Sequence, residues 1–524
     1  VDWPKGNFSA TLISDERFSY DAGFYAQEIQ VFLEEQNSAL VSVTVSVGEG
    51  ARQVDLFSHA LAGHCIRYSL NPKVLLTLLE LQVGAVRKSE LSEEDLDWAF
   101  GFLDPQWRGL DWQLQWAAYV LADGFREADE GEMPLLTDGT LAPIPGEANA
   151  ATRAVLRLLA YTADAKGFDQ LRSVGSDSFV ETYRELFGQD PRLPLDIAWE
   201  PTRAPFLRTP FSGYAPISSY FDHEYPIFRQ NGSLLPYSGE RGQHSYDGHD
   251  GWDYVLSAGT PVLAAARGQV AFAGMLDTLC PTPAGLVVID HGEGYRSLYW
   301  HLERVDVEEG QVLSQGERIG TVGNTGCSSG PHLHFGVQFL GRDTDPYGWC
   351  GSSEQSVDPW AVHPAGVASR WLWADKPSPC PVPAQAVVVD ELEGDFGKSP
   401  ALWYEAPVGY GGHAFWTVTV DDDEESTHRA VWRPNLPKAG RYFLYVYVPW
   451  YDTGRPDTIE AHYTIRHAGG ETTVTLDQAH VAGLWAPLGV FSFEAGSKGY
   501  VYLSDITQDS DTTIWFDVIV WVTE

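Results

Sequence analysis

The sequence predicts a multidomain α + β protein, with a helical N-terminal domain, a mainly antiparallel β domain in the middle and a C-terminal β-sandwich. Three observations carry this expectation. The chain has 524 residues, too many for one domain, and size alone suggests about three. Apolar residues recur at three-and-four spacing through residues 1–200. From Leu207 onward the pattern changes to short alternating runs separated by Gly-rich turns.

In residues 1–200 the spacing predicts helices at Asp55–Tyr68 and Pro72–Val83. Asn71-Pro72 is a helix start with proline in the first turn. Further helices are expected at Trp112–Ala128, Ala148–Ala165 and Asp177–Phe187, with a Gly- and Pro-bearing loop at Leu141–Gly146. Tyr68-Ser69-Leu70-Asn71-Pro72-Lys73-Val74-Leu75-Leu76 and Asn149-Ala150-Ala151-Thr152 resemble the helical, lysozyme-like domains of lytic transglycosylases and glucosaminidases. Such enzymes need a carboxylic acid to protonate the glycosidic oxygen. The resemblance places that acid roughly where Gln82 stands. Glu80 is near, but a two-residue step turns about 200° around a helix. The expectation is therefore a lysozyme-like fold without glycosidase activity, serving as a binding or spacer domain.

Residues 201–368 form the second segment. Pro205 to Gly239 reads as a lead-in to a β domain. His249-Asp250-Gly251-Trp252-Asp253 follows, with Tyr299-Trp300-His301-Leu302 and His332-Leu333-His334 further on. A catalytic zinc wants three His or carboxylate ligands and an open position. Two more histidines would then serve proton transfer and charge stabilisation. His332 and His334 would share one face of a strand, about 7 Å apart. His249 and Asp253 would lie about 13 Å apart on a straight strand, too far for one ion. Gly251 between them lets the chain bend so that both can reach one metal.

These motifs resemble the lysostaphin-type zinc endopeptidases that cut peptidoglycan peptides. The likeness runs from about Pro205 to His363 and is dense. It includes Gly248–Tyr254, Gly259–Ala265, Gly268-Gln269-Val270, Val287–Gly292, Tyr299–Leu302, Gly316–Gly320 and Gly323–Phe335. The resemblance implies His249, Asp253 and His334 as ligands of Zn2+, and His301 and His332 as the catalytic histidines. It makes His291 a structural position. His244 is expected to be a surface histidine.

Residues 369–384 read as a Pro-rich connector, in which Trp371 and Trp373 are expected to pack on the peptidase surface. Residues 385–524 alternate apolar and polar positions, the mark of a β-sandwich. Tyr442–Val448, Ala461–Ile465, Val501–Leu503 and Ile514–Trp521 read as strands. Ala430-Val431-Trp432, Gly440-Arg441-Tyr442, His467–Gly470, Asp477-Gln478 and Trp485–Gly489 resemble the carbohydrate-binding-like domains named after golvesin and found on xanthan lyases. Polysaccharide is thus a candidate partner, though most of the aromatics are expected in the core. Asp421–Glu425 reads as a solvated acidic loop, with a calcium site as the minor alternative.

The formal charge is −38, with 72 Asp and Glu against 34 Lys and Arg. That balance argues against sequence-independent nucleic-acid binding and against docking on anionic lipid. No run of eighteen apolar residues marks a membrane span. The chain opens at Val1 without a signal peptide and reads as a processed or engineered mature form. Of the five cysteines, Cys65 is expected buried and free, with Cys280, Cys327, Cys350 and Cys380 in two disulfides. The leading functional expectation is a secreted zinc endopeptidase acting on peptidoglycan. A wall- or polysaccharide-binding protein on a peptidase scaffold is the second. A bifunctional muralytic enzyme with an N-terminal glycosidase is the third.

Overall fold

The computed structural model describes residues 10–21, 23–47, 53–126, 134–195, 205–213, 215, 217–226, 234–237, 239, 247–278, 280, 282–351, 357–374, 386–392, 394–479 and 481–523. The chain divides into two compact units. One comprises Val1–Arg203, Ser257–Thr344 and Pro359–Ala368, and the other Ala204–Leu256, Asp345–Asp358 and Ser369–Glu524.

In the first unit, local chemistry sets the helix ends. The Asn71 side chain accepts from the Lys73 N–H, Pro72 occupies the first turn, and Gly84 (φ 68°) ends the helix Pro72–Val83 in the left-handed conformation. Helices Leu110–Arg126, Ala150–Thr162 and Phe179–Phe187 match expectation within a few residues. The helix expected from Asp55 begins instead at Phe57. Gln53–Leu56 alternates apolar and polar residues and pairs antiparallel with Thr44–Val47, so the hairpin takes those positions first. Helices Asp15–Ser19 and Ala26–Glu35 were not expected, although Ser14 caps the first and Glu28 completes a capping box on the second.

The first unit also holds an antiparallel sheet. Val312–Leu313, Gly268–Leu276, Ala284–Gly292, Tyr295–Trp300 and Leu333–Phe339 are neighbours in that order, and Arg342–Thr344 also pairs with Leu333–Phe339. Pro261–Leu263, Arg318–Val322 and Leu302–Val305 form a separate three-stranded sheet. The helix Phe57–Arg67 packs on the larger sheet through Ile66, against Phe272 and Leu276. A Cβ on Gly63 would lie 2.7 Å from Leu276, so glycine permits this close approach. The polar anchor of the same interface is Arg296, which is buried and lies over the Tyr20 and Tyr25 rings. Tyr25 in turn hydrogen-bonds Asp290. Arg126 pairs with Asp343 at 3.3 Å, with both side chains buried.

In the second unit, Trp252–Tyr254 pairs with Ile217–Ser219. Trp252 stacks on Tyr347 at 3.6 Å, and its indole N–H donates to Asp345 at 2.9 Å. The C-terminal region is a sandwich. One sheet runs Val387–Val389, Ile519–Thr523, Gly440–Val448, Leu484–Phe493, and a second runs Phe396–Lys398, Arg429–Trp432, Tyr500–Ser504, Ala461–His467, Gly470–Leu476. A third contains Tyr404–Ala406, Ala414–Val418 and Thr513–Phe516. Tyr442, Leu444, Val446 and Val448 alternate into the core, where Trp432, Trp515 and Trp521 are fully buried. The run Ile514–Trp521 is not one strand. It breaks at Asp517-Val518, where the chain leaves one sheet and joins another. Trp373 is buried and bridges to Leu207, and Trp371 bridges to Tyr347, so both pack.

Cys280 and Cys327 form a disulfide with a Cα–Cα distance of 5.1 Å. Cys350 is also disulfide-bonded, and Cys65 is buried and free. Cys380 and His244 lie outside the described residues. Among the described residues no helix is long and apolar enough to cross a membrane.

His223 is fully buried between two carboxylates, 3.0 Å from Asp345 and 2.9 Å from Asp358. Burial disfavours its charge, but the two acids prevail and push its pKa up to about 9. A raised histidine pKa stabilises the fold fully below the unfolded value of about 6.5, and the contribution is lost as pH rises through the folded value. The thermal midpoint should therefore fall between neutral pH and pH 10. His223→Asn should flatten that decline while costing about 3–5 kcal/mol at neutral pH, because two buried acids lose their partner. Thermal melts of both proteins across this range check the expectation.

Candidate metal centre

His249 precedes the strand Trp252–Tyr254, which contains Asp253. The chain bends at Gly251 as expected. The left-handed residue, however, is Gly248, at φ 80°. Asp222 shapes this loop. Its carboxylate accepts from the Gly248 N–H at 2.9 Å and the Leu235 N–H at 3.1 Å, and its own N–H donates to the His249 carbonyl. Neither Asp222 nor His223 was expected to matter, because no sequence spacing links them to their distant partners.

His334 lies in the strand Leu333–Phe339, directly across from Trp300. His249, Asp253 and His334 each offer one ligand atom, and these atoms lie within 4.8 Å of one another. All three residues are buried. The His249 ring shows why the group suits a cation. Its Nδ1 lies 2.9 Å from the Tyr220 carbonyl oxygen, which can only accept, so Nδ1 carries a proton. In the neutral ring Nε2 then holds a lone pair, and it faces Asp253 Oδ1 at 3.1 Å. Two acceptors face each other in that form, so either a proton or a metal cation satisfies the pair. Two imidazoles and one carboxylate form a donor set that fits catalytic zinc, which keeps a further position open. The carbonyl holding Nδ1 is the usual outer partner of a metal-binding histidine.

His301 and His332 stand beside His334. Their rings are 4.6 Å apart, and His301 lies 6.0 Å from the His334 ring. His301 falls between the strands Tyr295–Trp300 and Leu302–Val305, at the point where the chain passes from the larger sheet to the smaller. It has φ 65°, a conformation that costs a non-glycine residue energy and is characteristic of functional positions. Its Nδ1 donates to the Thr325 carbonyl at 2.7 Å. Thr325 is itself fixed, accepting from the Gly285 N–H and donating to the Leu302 carbonyl, both at 2.9 Å. His332 Nδ1 donates to the Gly330 carbonyl at 2.8 Å. In both rings Nε2 therefore carries the lone pair of the neutral form. The disulfide Cys280–Cys327 closes the loop that supplies these carbonyls.

His291 takes the structural place expected of it, bonding the Arg267 carbonyl at 2.9 Å and Ser297 Oγ at 2.8 Å. In the helical region, Glu80 accepts from the Val86 and Arg87 N–H groups and from Arg87 Nε, closing the turn after its own helix. Gln82 donates to Thr162 Oγ1 at 3.0 Å. Asp421–Glu425 is a largely exposed loop.

Residues 247–346 match peptidase family M23, residues 11–199 the N-terminal domain of LasA, and residues 387–522 the golvesin C-terminal domain. The peptidoglycan DD-endopeptidase ShyA of Vibrio cholerae is 40% identical over 94 residues, covering 18% of this chain and 21% of that protein. The cell division protein DipM of Caulobacter vibrioides is 40% identical over 249 residues, covering 47% of this chain and 36% of that protein. A solved zinc-containing peptidase from Vibrio cholerae is 27% identical, covering 27% of this chain and 39% of that one, with a TM-score of 0.21. The matches span only about a fifth to a third of the curated relatives' own lengths.

The geometry predicts that Asp253→Ala and His334→Ala each lose the bound metal. Metal content measured by mass spectrometry after dialysis checks this. Stoichiometric zinc in either variant would refute the ligand set.

Proposed function

We propose that this chain, which carries M23 peptidase, LasA N-terminal and golvesin C-terminal domains, is a secreted zinc-dependent endopeptidase of the bacterial cell envelope. It hydrolyses peptide bonds of peptidoglycan. The observation that carries this reading is the buried His249–Asp253–His334 group with two carbonyl-anchored histidines beside it. The matched relatives named as peptidoglycan DD-endopeptidases support the substrate class.

His249, Asp253 and His334 would hold the metal. Bound zinc supplies a Lewis acid for the scissile carbonyl and makes water a competent nucleophile near neutral pH. The roles of His301 and His332 follow from their anchoring. With Nδ1 committed to a carbonyl, each ring exchanges protons through Nε2. The neutral ring takes the proton of the attacking water at Nε2 and passes it to the leaving amine, and the other donates to the developing oxyanion only as an imidazolium, with a proton on Nε2 as well as on Nδ1. The fixed rings spend little reorganisation at the moment of reaction.

We assign the flanking segments to substrate placement, with 1–200 and 385–524 bracketing the peptidase at 201–368 and the connector at 369–384. Polysaccharide is the proposed ligand of the C-terminal sandwich. Of the two positions weighed for a glycan-cleaving acid, Glu80 is engaged by Arg87 and Gln82 has no carboxylic proton to give.

Digestion of purified peptidoglycan by the full chain should release peptide-cleaved fragments, and a chelator should abolish it. An intact sacculus after incubation with the zinc-loaded protein would reject the enzyme in favour of a binding protein. His301→Ala and His332→Ala should keep zinc yet lose about 10²–10⁴ of the rate. Loss of metal in either variant would reverse the division of roles. Glu80→Gln should leave the fragment pattern unchanged. Sugar ends whose release depends on Glu80 would establish a second activity.

A further inference from the structure

Among the described residues, one other cluster has the makings of a cation site, and it lies in the C-terminal sandwich. Asp390, Glu391 and Asp517 each offer a carboxylate oxygen, and these oxygens lie within 4.8 Å of one another. The topology brings them together. Asp390 and Glu391 directly follow the strand Val387–Val389, whose Val389 pairs with Ile519. Asp517 lies in the break just before Ile519, where the chain changes sheets.

Glu391 and Asp517 are 4% and 1% exposed. Most of their hydrogen bonds are accounted for. Asp517 accepts from the Val518 N–H at 2.8 Å and the Tyr410 N–H at 3.0 Å. Glu391 Oε1 bonds His413 Nδ1 at 2.9 Å. Glu391 Oε2, by contrast, is buried and has no hydrogen-bond partner. An orphaned buried carboxylate oxygen is costly and calls for a ligand. Three carboxylates this close also repel one another unless protons or a cation neutralise them. Gly409 (φ 106°) lets the neighbouring loop approach, since a Cβ there would meet Asp517 Oδ2 at 2.6 Å.

We propose that Asp390, Glu391 and Asp517 bind a hard divalent cation, calcium by ligand chemistry. All three donors are oxygen, which suits calcium and disfavours zinc, a metal of nitrogen and sulfur sites. A ligand separation up to 4.8 Å is about twice a calcium–oxygen distance of roughly 2.4 Å. Magnesium demands tighter and more regular geometry. Asp390 is only half-buried, so water can complete the shell from its side. His413 holds Glu391 in position, as outer partners do for ligating groups. The cation ties the ends of two strands to the loop Gly409–His413 and stabilises the sandwich by binding only its folded form.

Equilibrium dialysis of the full, zinc-loaded chain against calcium at physiological salt tests this. Wild type should retain one more calcium per chain than Glu391→Gln, and calcium should raise the thermal midpoint of wild type alone. Asp390→Asn, at the more exposed position, should weaken calcium by about tenfold or more, and it carries the test if Glu391→Gln does not fold. Equal calcium in wild type and the folded variants would overturn the proposal, as would no retained calcium or a preference for magnesium. Peptidoglycan hydrolysis is read separately, so either outcome stands apart from the zinc site.

Discussion

The register between Tyr295–Trp300 and Leu333–Phe339 is the constraint on which the candidate metal centre depends. Pairing His334 with Trp300 brings His301 and His332 to the same end of the two strands. A slip of one residue would turn every side chain of the strand to the opposite face. The pairing is held by burial along the whole of Leu333–Phe339 and by the Arg296–Tyr25–Asp290 cluster behind the sheet. The helical region therefore contributes to the site through packing, whatever it binds.

Both proposed sites lie where the chain leaves one sheet for another. His301 occupies such a junction, with a left-handed backbone, and Asp517 occupies the other. At a junction the ladder is interrupted, so backbone groups there turn to side chains for partners. The same interruption frees side chains to converge from several strands. Regular strand interiors offer neither opportunity, because their residues alternate between fixed faces.

Much of this was legible in the sequence, and the reason is spacing. While their division into metal ligands and catalytic histidines came with the family resemblance, His249/Asp253 and His332/His334 stand out because residues close in sequence can be close in space. The long amphipathic helices were visible for the same reason. The helix Asp15–Ser19 is too short to stand out from loop, whereas Ala26–Glu35 buries Ala26, Ile29 and Leu33 at helical spacing and was legible. The break at Asp517 was hidden inside an apolar run, where one polar residue looks like an ordinary outward position. His223 with Asp345 and Asp358, and Asp390 with Asp517, join residues more than a hundred positions apart. No periodicity reports such pairs, and only the folded chain reveals them.

The outer partners of His249, His301 and His332 are backbone carbonyls of Tyr220, Thr325 and Gly330. A carboxylate in that place could be deleted by one codon change or silenced by acid. A peptide carbonyl is present whatever residue bears it, and it never titrates. Drift in this region is therefore filtered by loop shape rather than by the identity of the anchoring residue. An engineer wishing to retune His301 and His332 would have to redraw the 324–330 loop, in which the Thr325 hydroxyl itself holds the anchoring carbonyl in place.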